Sequence, residues 1–264
     1  MSFYGSSFSF DGISCEEYGL MLYDFNTTTQ GNTEFAKGME IQEDRIPGRT
    51  RSLFYGTYYK NPLEFTLVFG ADEYAANYGE DLDRQDLEVI GSWLTGHREY
   101  KWLVIDQPDL EGIRYNCILT DLKVLEYAGN KWAFQCTVHC DSPFAYTLPQ
   151  TDSFEVDGSA EVTLHSRSTS NLPYYPRVTI WMNGSGDFSI RNDDNLFEIK
   201  NWTKADDVFY IDGETGVITA ESGLNVFNNF NFVFPQLHRG TNQLLIAGNG
   251  IVTYTSTFPV NVGG

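Results

Sequence analysis

The sequence predicts a mainly β protein of two domains, and three features point there. Aromatic residues make up 15% of the 264 residues, led by 19 Phe and 16 Tyr, and such side chains suit the pleated, half-buried surface of a sheet. Apolar residues recur with period two along most ordered stretches, whereas a helical period occurs in one. Between these stretches fall Asp-Gly, Asn-Gly and Pro-Gly pairs, the residues of tight turns. A chain of 264 residues also suits two domains, each able to bury a core without disulfide or metal. The boundary is expected near Tyr146, giving domains 1–146 and 147–264.

Taken in order, Phe8 and Phe10 alternate before an Asp11-Gly12 turn, and Leu20, Leu22 and Phe25 resume the pattern as short strands. From Asn26 to Gly38 small polar residues predict a loop. Alternation returns briefly at Met39 and Ile41, and then Arg45-Ile-Pro-Gly-Arg49-Thr-Arg51 forms a basic loop that Pro47-Gly48 keeps irregular. Leu63, Phe65, Leu67 and Phe69 predict a strand with one buried face. Asp81 to Leu94 predicts the helix: acidic residues sit in its first turn, where the helix dipole favours them. Leu87, Ile90 and Leu94 form its apolar stripe, and Gly96 is the expected stop.

Tyr100–Asp106 reads as a strand. Residues 113–127 and 131–140 read as a long hairpin across Ala128-Gly129-Asn130, and Asp141-Ser-Pro143 closes the unit. Pro149 and the Ser/Asp-rich segment 150–153 are expected to be a linker. Beyond it the pattern is strand and turn throughout, with strands expected at 154–156, 162–165, 177–182, 188–191, 196–200, 208–211, 217–220, 231–234, 243–246 and 251–255. Asn183-Gly184, Asp212-Gly213 and Gly248-Asn-Gly250 are the expected turns, as in an antiparallel sandwich.

Charge narrows the partners. The net charge is −19. Residues 1–145 hold 11 basic against 23 acidic residues (−12), and the remainder 6 against 13 (−7). Neither part offers the basic footprint that phosphate backbones require, and anionic membranes would repel both. No run of 18 apolar residues occurs, so no membrane span is expected, and the Met1-Ser-Phe-Tyr-Gly start is not that of a signal peptide.

A search for chemistry finds little. Cys136-x-x-His139-Cys140 has the residue types of a metal site, but on a strand Cys136 and Cys140 share a face with Phe134 and Val138 while His139 points away. Buried structural thiols are the reading that follows. Asp193-Asp194 and Asp206-Asp207 sit in turn-like contexts, and His97, His165 and His238 have no nucleophile signature around them. No phosphate loop or Gly-x-Ser-x-Gly elbow is present. Trp181, Trp202, Tyr174 and Tyr175 are candidates for a sugar-stacking platform, against the commoner use of aromatics as sandwich core. No enzyme activity, cofactor or metal is expected.

Several stretches together resemble the distal tail proteins of siphophages, the long-tailed, non-contractile phages. They are Ser7-Phe-Ser-Phe-Asp-Gly12, Ile46-Pro-Gly-Arg49 with Leu53-Phe-Tyr-Gly56, Trp93-Leu94, and Leu103-Val-Ile-Asp106-Gln-Pro108 with Tyr115-Asn-Cys117. Phe134-Gln-Cys136-Thr-Val-His-Cys140-Asp-Ser-Pro143-Phe-Ala-Tyr146 is similar to that family's interdomain junction, and Pro176-Arg-Val-Thr-Ile180 and Gly240-Thr-Asn242 continue the likeness. The resemblance implies a β-sandwich-like N-terminal domain with one helix and a long hairpin, followed by a galectin-like C-terminal sandwich. It implies a homohexameric ring, single or stacked, at a virion's tail tip and assembled in the host cytoplasm. The ring would join the major tail tube protein to a tail-associated fibre or lysin protein and to receptor-binding or baseplate proteins. Genome DNA would pass through its central channel without specific binding.

In that family a belt loop embraces the neighbouring subunit. Arg45, Ile46, Pro47, Gly48, Arg49, Arg51, Leu53, Phe54 and Tyr55 occupy the matching position. The galactoside signature of galectins is missing, so sugar binding does not follow from the resemblance. A carbohydrate-binding module for host cell-wall polysaccharide, using Trp181 and Trp202, is the alternative function.

Overall fold

A computed structural model describes residues 7–25, 38–71, 82–127 and 130–262. Residues 26–37 of the loop expected at 26–38, Ala128 and Gly129 of the expected hairpin turn, and Asp81 lie outside them. The chain divides into two compact units, Met1–Tyr146 with Asn261–Gly264, and Thr147–Val260. Both are built on antiparallel strands, as the alternation predicts.

In the first unit one antiparallel sheet runs in the order Ile13–Ser14, Ser7–Phe10, Lys101–Asp106, Ile113–Tyr127, Asn130–Cys140, Glu64–Ala71, Leu20–Phe25. Its buried face carries the period-two residues: Phe8 and Phe10, Leu67 and Phe69, Leu103 and Ile105, Phe134, Cys136, Val138 and Cys140. The helix, Arg84–Thr95, begins later than expected. Asp83 caps it, accepting from the Asp86 amide at 2.8 Å, while the Asp86 carboxylate accepts from the Asp83 amide at 3.1 Å. This reciprocal cap satisfies two otherwise orphaned N–H groups.

Ile90, Trp93 and Leu94 are the helix's buried residues. Trp93 stacks on Phe8 (centroids 5.8 Å, 10° between planes) and donates its indole N–H to the Phe10 carbonyl at 3.1 Å. Phe8 in turn meets Phe69 edge-on and Phe69 stacks on Phe134, so an aromatic ladder ties the helix to the middle of the sheet. Gly96 ends the helix without a left-handed turn, its φ being −77°. A β-carbon there would stand 2.8 Å from the Ser92 carbonyl oxygen, so lack of room, not handedness, requires glycine.

The second unit differs from expectation in three places. The supposed linker at 150–153 opens a single strand, Gln150–Ser166, which pairs over its whole length with Gly240–Ser256. Ser and Asp read as linker because every second side chain there faces water. Second, Gly248-Asn-Gly250 is not a turn: it lies within Gly240–Ser256, opposite Val156, Asp157 and Gly158. Gly248 and Gly250 have φ of +135° and +151°, and β-carbons on them would meet the Phe188 ring at 2.4 Å and the Trp181 carbonyl oxygen at 2.0 Å. These glycines let the strand bend and its neighbours close in.

Besides Gln150–Ser166, Gly240–Ser256 serves two further partners, pairing through Leu244–Ala247 with Gly186–Asn192 and through Gly250–Thr255 with Arg177–Met182. Asn195–Trp202 lies beyond the first partner; Val208–Asp212 and Val217–Ala220 lie beyond the second. The inward residues of all these strands form one core that includes Ile180, Phe188, Phe197, Phe209, Val252 and Tyr254. Third, residues 231–234, expected as a strand, are irregular; the nearby backbone pairs only at isolated bridges, Ile199 with Phe230 and Tyr174 with Leu237.

Candidate interaction site: an exposed hairpin arm

The segment expected as a basic loop is the tip of a separate two-stranded hairpin, Glu40–Asp44 paired with Leu53–Tyr58. Its first strand is exposed at every position and its second at all but Gly56. The brief alternation at Met39 and Ile41 therefore reports a strand that buries neither face in its own chain. At the tip the Arg49 amide donates to the Ile46 carbonyl at 3.2 Å across Pro47-Gly48, and Gly48 has φ of +84°. Proline first and a positive-φ glycine second are the residues that a type II turn needs.

Opposite positions share a face, so Ile41, Thr57, Glu43 and Phe54 lie together. A bulge between Gln42 and Glu43 disturbs the register near Tyr55. Ile41 and Phe54 are each 65% exposed, Tyr55 59% and Leu53 39%. Polar bonds hold the arm together: Tyr58 donates to Glu40 at 3.0 Å, Tyr55 to Asp44 at 3.2 Å and Ser52 to Glu43 at 2.7 Å. The bond from Lys60, followed by that from Tyr58, holds the Glu40 carboxyl below its ordinary range. The acceptor carboxylates raise the phenols of Tyr58 and Tyr55. Arg45, Arg49 and Arg51 are exposed and, among the described residues, have no ion-pair partner.

The arm thus brings together every candidate belt residue named from the sequence, and adds Ile41, Met39 and Tyr58. Their signal was alternation without an inward partner. What the arm offers is apolar surface flanked by guanidinium groups, which form paired hydrogen bonds with carboxylates. An isolated two-stranded hairpin is marginal in water, so such an arm gains from a surface to lie on.

The proposed sugar platform does not form. Trp202 is buried at 4% exposure and donates its indole N–H to Asp207 at 3.2 Å, so its face cannot meet a ligand. Trp181, between the core residues Ile180 and Met182 but on the other face of their strand, is 54% exposed. Trp202 is the last residue of the strand Asn195–Trp202, where its side chain is core. Tyr174 packs against Phe258. Asp207 belongs to the same buried cluster, accepting also from the hydroxyl and amide of Ser222 and the amide of Val208. Asp193 and Asp194 form the turn between two paired strands.

All four cysteines are buried free thiols. Burial raises those of Cys136 and Cys140 to about 12, and that of Cys15 to about 11. His139 lies on the opposite face and meets Glu64 at 3.2 Å. The strand geometry therefore separates the three residues of the metal-like motif.

The described chain is thus two β units with an exposed hairpin arm, and sequence families say what kind of protein carries them. Residues 3–142 match the family model described as phage tail protein N-terminal domain, and residues 144–255 the one described as phage tail C-terminal domain. The chain belongs to this family of phage tail proteins. In fold it is similar to the SPP1 Dit protein, whose crystal structure is described as a paradigm of the hub adsorption apparatus in phages infecting Gram-positive hosts. That likeness has a TM-score of 0.69 at 12% identity and covers 96% of this chain and 98% of that one. Seven solved chains match in fold, and no curated protein sequence matches.

Proposed function

We propose that this phage tail protein is the ring-forming hub at the distal end of a siphophage tail. The exposed hairpin arm carries the proposal. It presents apolar residues on a strand pair that the described residues leave uncovered, and three arginines without an ion-pair partner among them, in a chain of net charge −19. A neighbouring copy supplies the complementary acidic surface. Six copies, each laying its arm on the next, close a ring through residues 1–146, while residues 147–264 form a galectin-like sandwich that carries peripheral parts. The likeness to the SPP1 Dit fold supports the same reading.

In this reading the ring meets the major tail tube protein on one side and the fibre or lysin protein on the other, with receptor-binding or baseplate proteins attached outside. Its role is geometric, not catalytic. DNA slides through a channel whose acidic walls repel phosphate. The carbohydrate-module alternative loses its platform with the burial of Trp202.

Native mass measurement of the purified protein, whole and lacking residues 45–55, tests the proposal. A closed oligomer that collapses to monomer on deletion is the expected result. Monomer in both cases at high concentration would rule out the arm as the closing element.

A further inference from the structure

We propose that the cleft between the helix Arg84–Thr95 and residues 11–18 receives the hairpin arm of a second copy of this chain. Phe54 of the arm sits on the cleft's apolar floor and the arginines of the arm on its carboxylate rim. The proposal rests on the hub reading, which names the arm but not the surface that it lies on. It gives that surface its residues.

The cleft has a volume of about 480 Å³, within the roughly 300–1,000 Å³ of clefts that hold several rings. Gln85, Glu88, Val89 and Ser92 recur at i, i+3, i+4 and i+7 of the helix, so they form one face beside the buried stripe of Ile90, Trp93 and Leu94. Ile13 and Tyr18 line the cleft from residues 11–18, and Tyr18 leans on Trp93 with ring centroids 4.7 Å apart. Trp93 is the floor, fixed by its stack on Phe8 and its bond to the Phe10 carbonyl. His97 also lines the cleft, donates to the Trp93 carbonyl at 2.7 Å and meets Phe10 edge-on. These contacts hold the lining in place before anything binds, which lowers the ordering cost of occupation.

Polarity and charge select the occupant. Asp11 and Glu88 are the carboxylates of the cleft, both exposed. Asp11 Oδ2 meets Lys101 at 3.4 Å and Glu88 Oε1 meets Arg84 at 2.9 Å. Each pair engages one carboxylate oxygen and is open to solvent, where such pairs hold loosely. A guanidinium can share the second oxygen without leaving any charge buried and unpaired. The arm carries the converse pattern. Ile41 and Phe54, each 65% exposed, share one face, and Arg45, Arg49 and Arg51 follow at the tip without an ion-pair partner among the described residues. An apolar floor thus matches an apolar face, and carboxylates match guanidinium groups. An anionic partner would fit the floor and be repelled by the rim. A second copy is the occupant that the chain itself supplies. Arm and cleft are different patches of one chain, so their contact is head-to-tail, the kind that closes a ring instead of stopping at a two-fold dimer.

The test uses full-length chains. Thr57 lies on the face of Phe54, and Ser92 on the cleft face of the helix; both are exposed, whereas the four native cysteines are buried. Thr57→Cys and Ser92→Cys chains are mixed with a short bismaleimide. The expected product is a covalent dimer that neither variant forms by itself, and the double variant should give a ladder of covalent oligomers. Separately, Val89→Arg, at a position 45% exposed, should keep the wild-type circular dichroism spectrum and raise the concentration needed for assembly by about tenfold or more. An oligomer that needs residues 45–55 yet gives no Thr57→Cys to Ser92→Cys link overturns the proposal and leaves the hub reading standing. So does a link that forms as readily in either variant by itself, or one confined within single double-variant chains. Assembly of Val89→Arg at the wild-type concentration overturns it too. Failure of the hub reading looks different: the protein is then monomeric with or without residues 45–55, and no mixture is linked.

Discussion

Gly250 shows how one residue can mislead a reader of sequence. Beside Gly248 it resembles a turn, yet it permits the Trp181 carbonyl to approach within the radius of a side chain. Gly250→Ala should destabilise the protein by about 2–4 kcal/mol through clash and backbone strain combined, seen as a lower denaturant midpoint at unchanged slope. Asp207 teaches a related lesson about carboxylates. Burial pushes its pKa up, but bonds from Ser222, Val208 and Trp202 outweigh burial and leave the pKa below its ordinary value. A depressed carboxylate stabilises the fold above its unfolded pKa and ceases to do so as pH falls through the folded one. Asp207→Asn should therefore cost more at pH 7 than at a pH low enough to protonate the folded carboxyl, which lies below its ordinary value of 3.8. Equal costs in denaturation at both pH values would show that the charge contributes nothing.

Among elements, the helix and the arm obey opposite rules. The helix buries its stripe through Trp93 and is fixed at its start by the Asp83–Asp86 cap. Asp83→Ala should lower stability by about 1 kcal/mol, read from thermal melting. The arm buries nothing, so its strand pattern has no inward face to report. Phe65 and Phe69 were legible as core because alternation met a sheet already waiting for them. Ile41 alternates just as well, and only the structure shows that nothing among the described residues covers it. The long strands Gln150–Ser166 and Gly240–Ser256 were read as fragments, because glycine and Ser/Asp interrupt their apolar rhythm without interrupting their hydrogen bonds.

For the whole molecule, charge is the term that the proposed ring must overcome. Copies each carrying −19 would repel one another, and in the proposed ring Arg45, Arg49 and Arg51 are the groups that would reverse this locally. Short-range attraction through exposed guanidinium groups is screened by salt, as is the long-range repulsion. If the arm closes the ring, Arg45→Ala/Arg49→Ala/Arg51→Ala should shift the protein toward monomer in analytical ultracentrifugation and flatten the dependence of assembly on salt. A triple variant that assembles as wild type would assign closure to the apolar face of Ile41 and Phe54 alone.

By itself the sequence determined the mainly β class, the single helix, the alternating core of the first sheet and the inert burial of the cysteines. Each of these follows from local periodicity, which one strand or helix imposes on its own residues. Tertiary structure alone decided that Trp202 is core while Trp181 is surface, and that Gly248 and Gly250 lie within a strand. Those outcomes depend on what the fold brings from distant positions against each residue, and no local pattern carries that information.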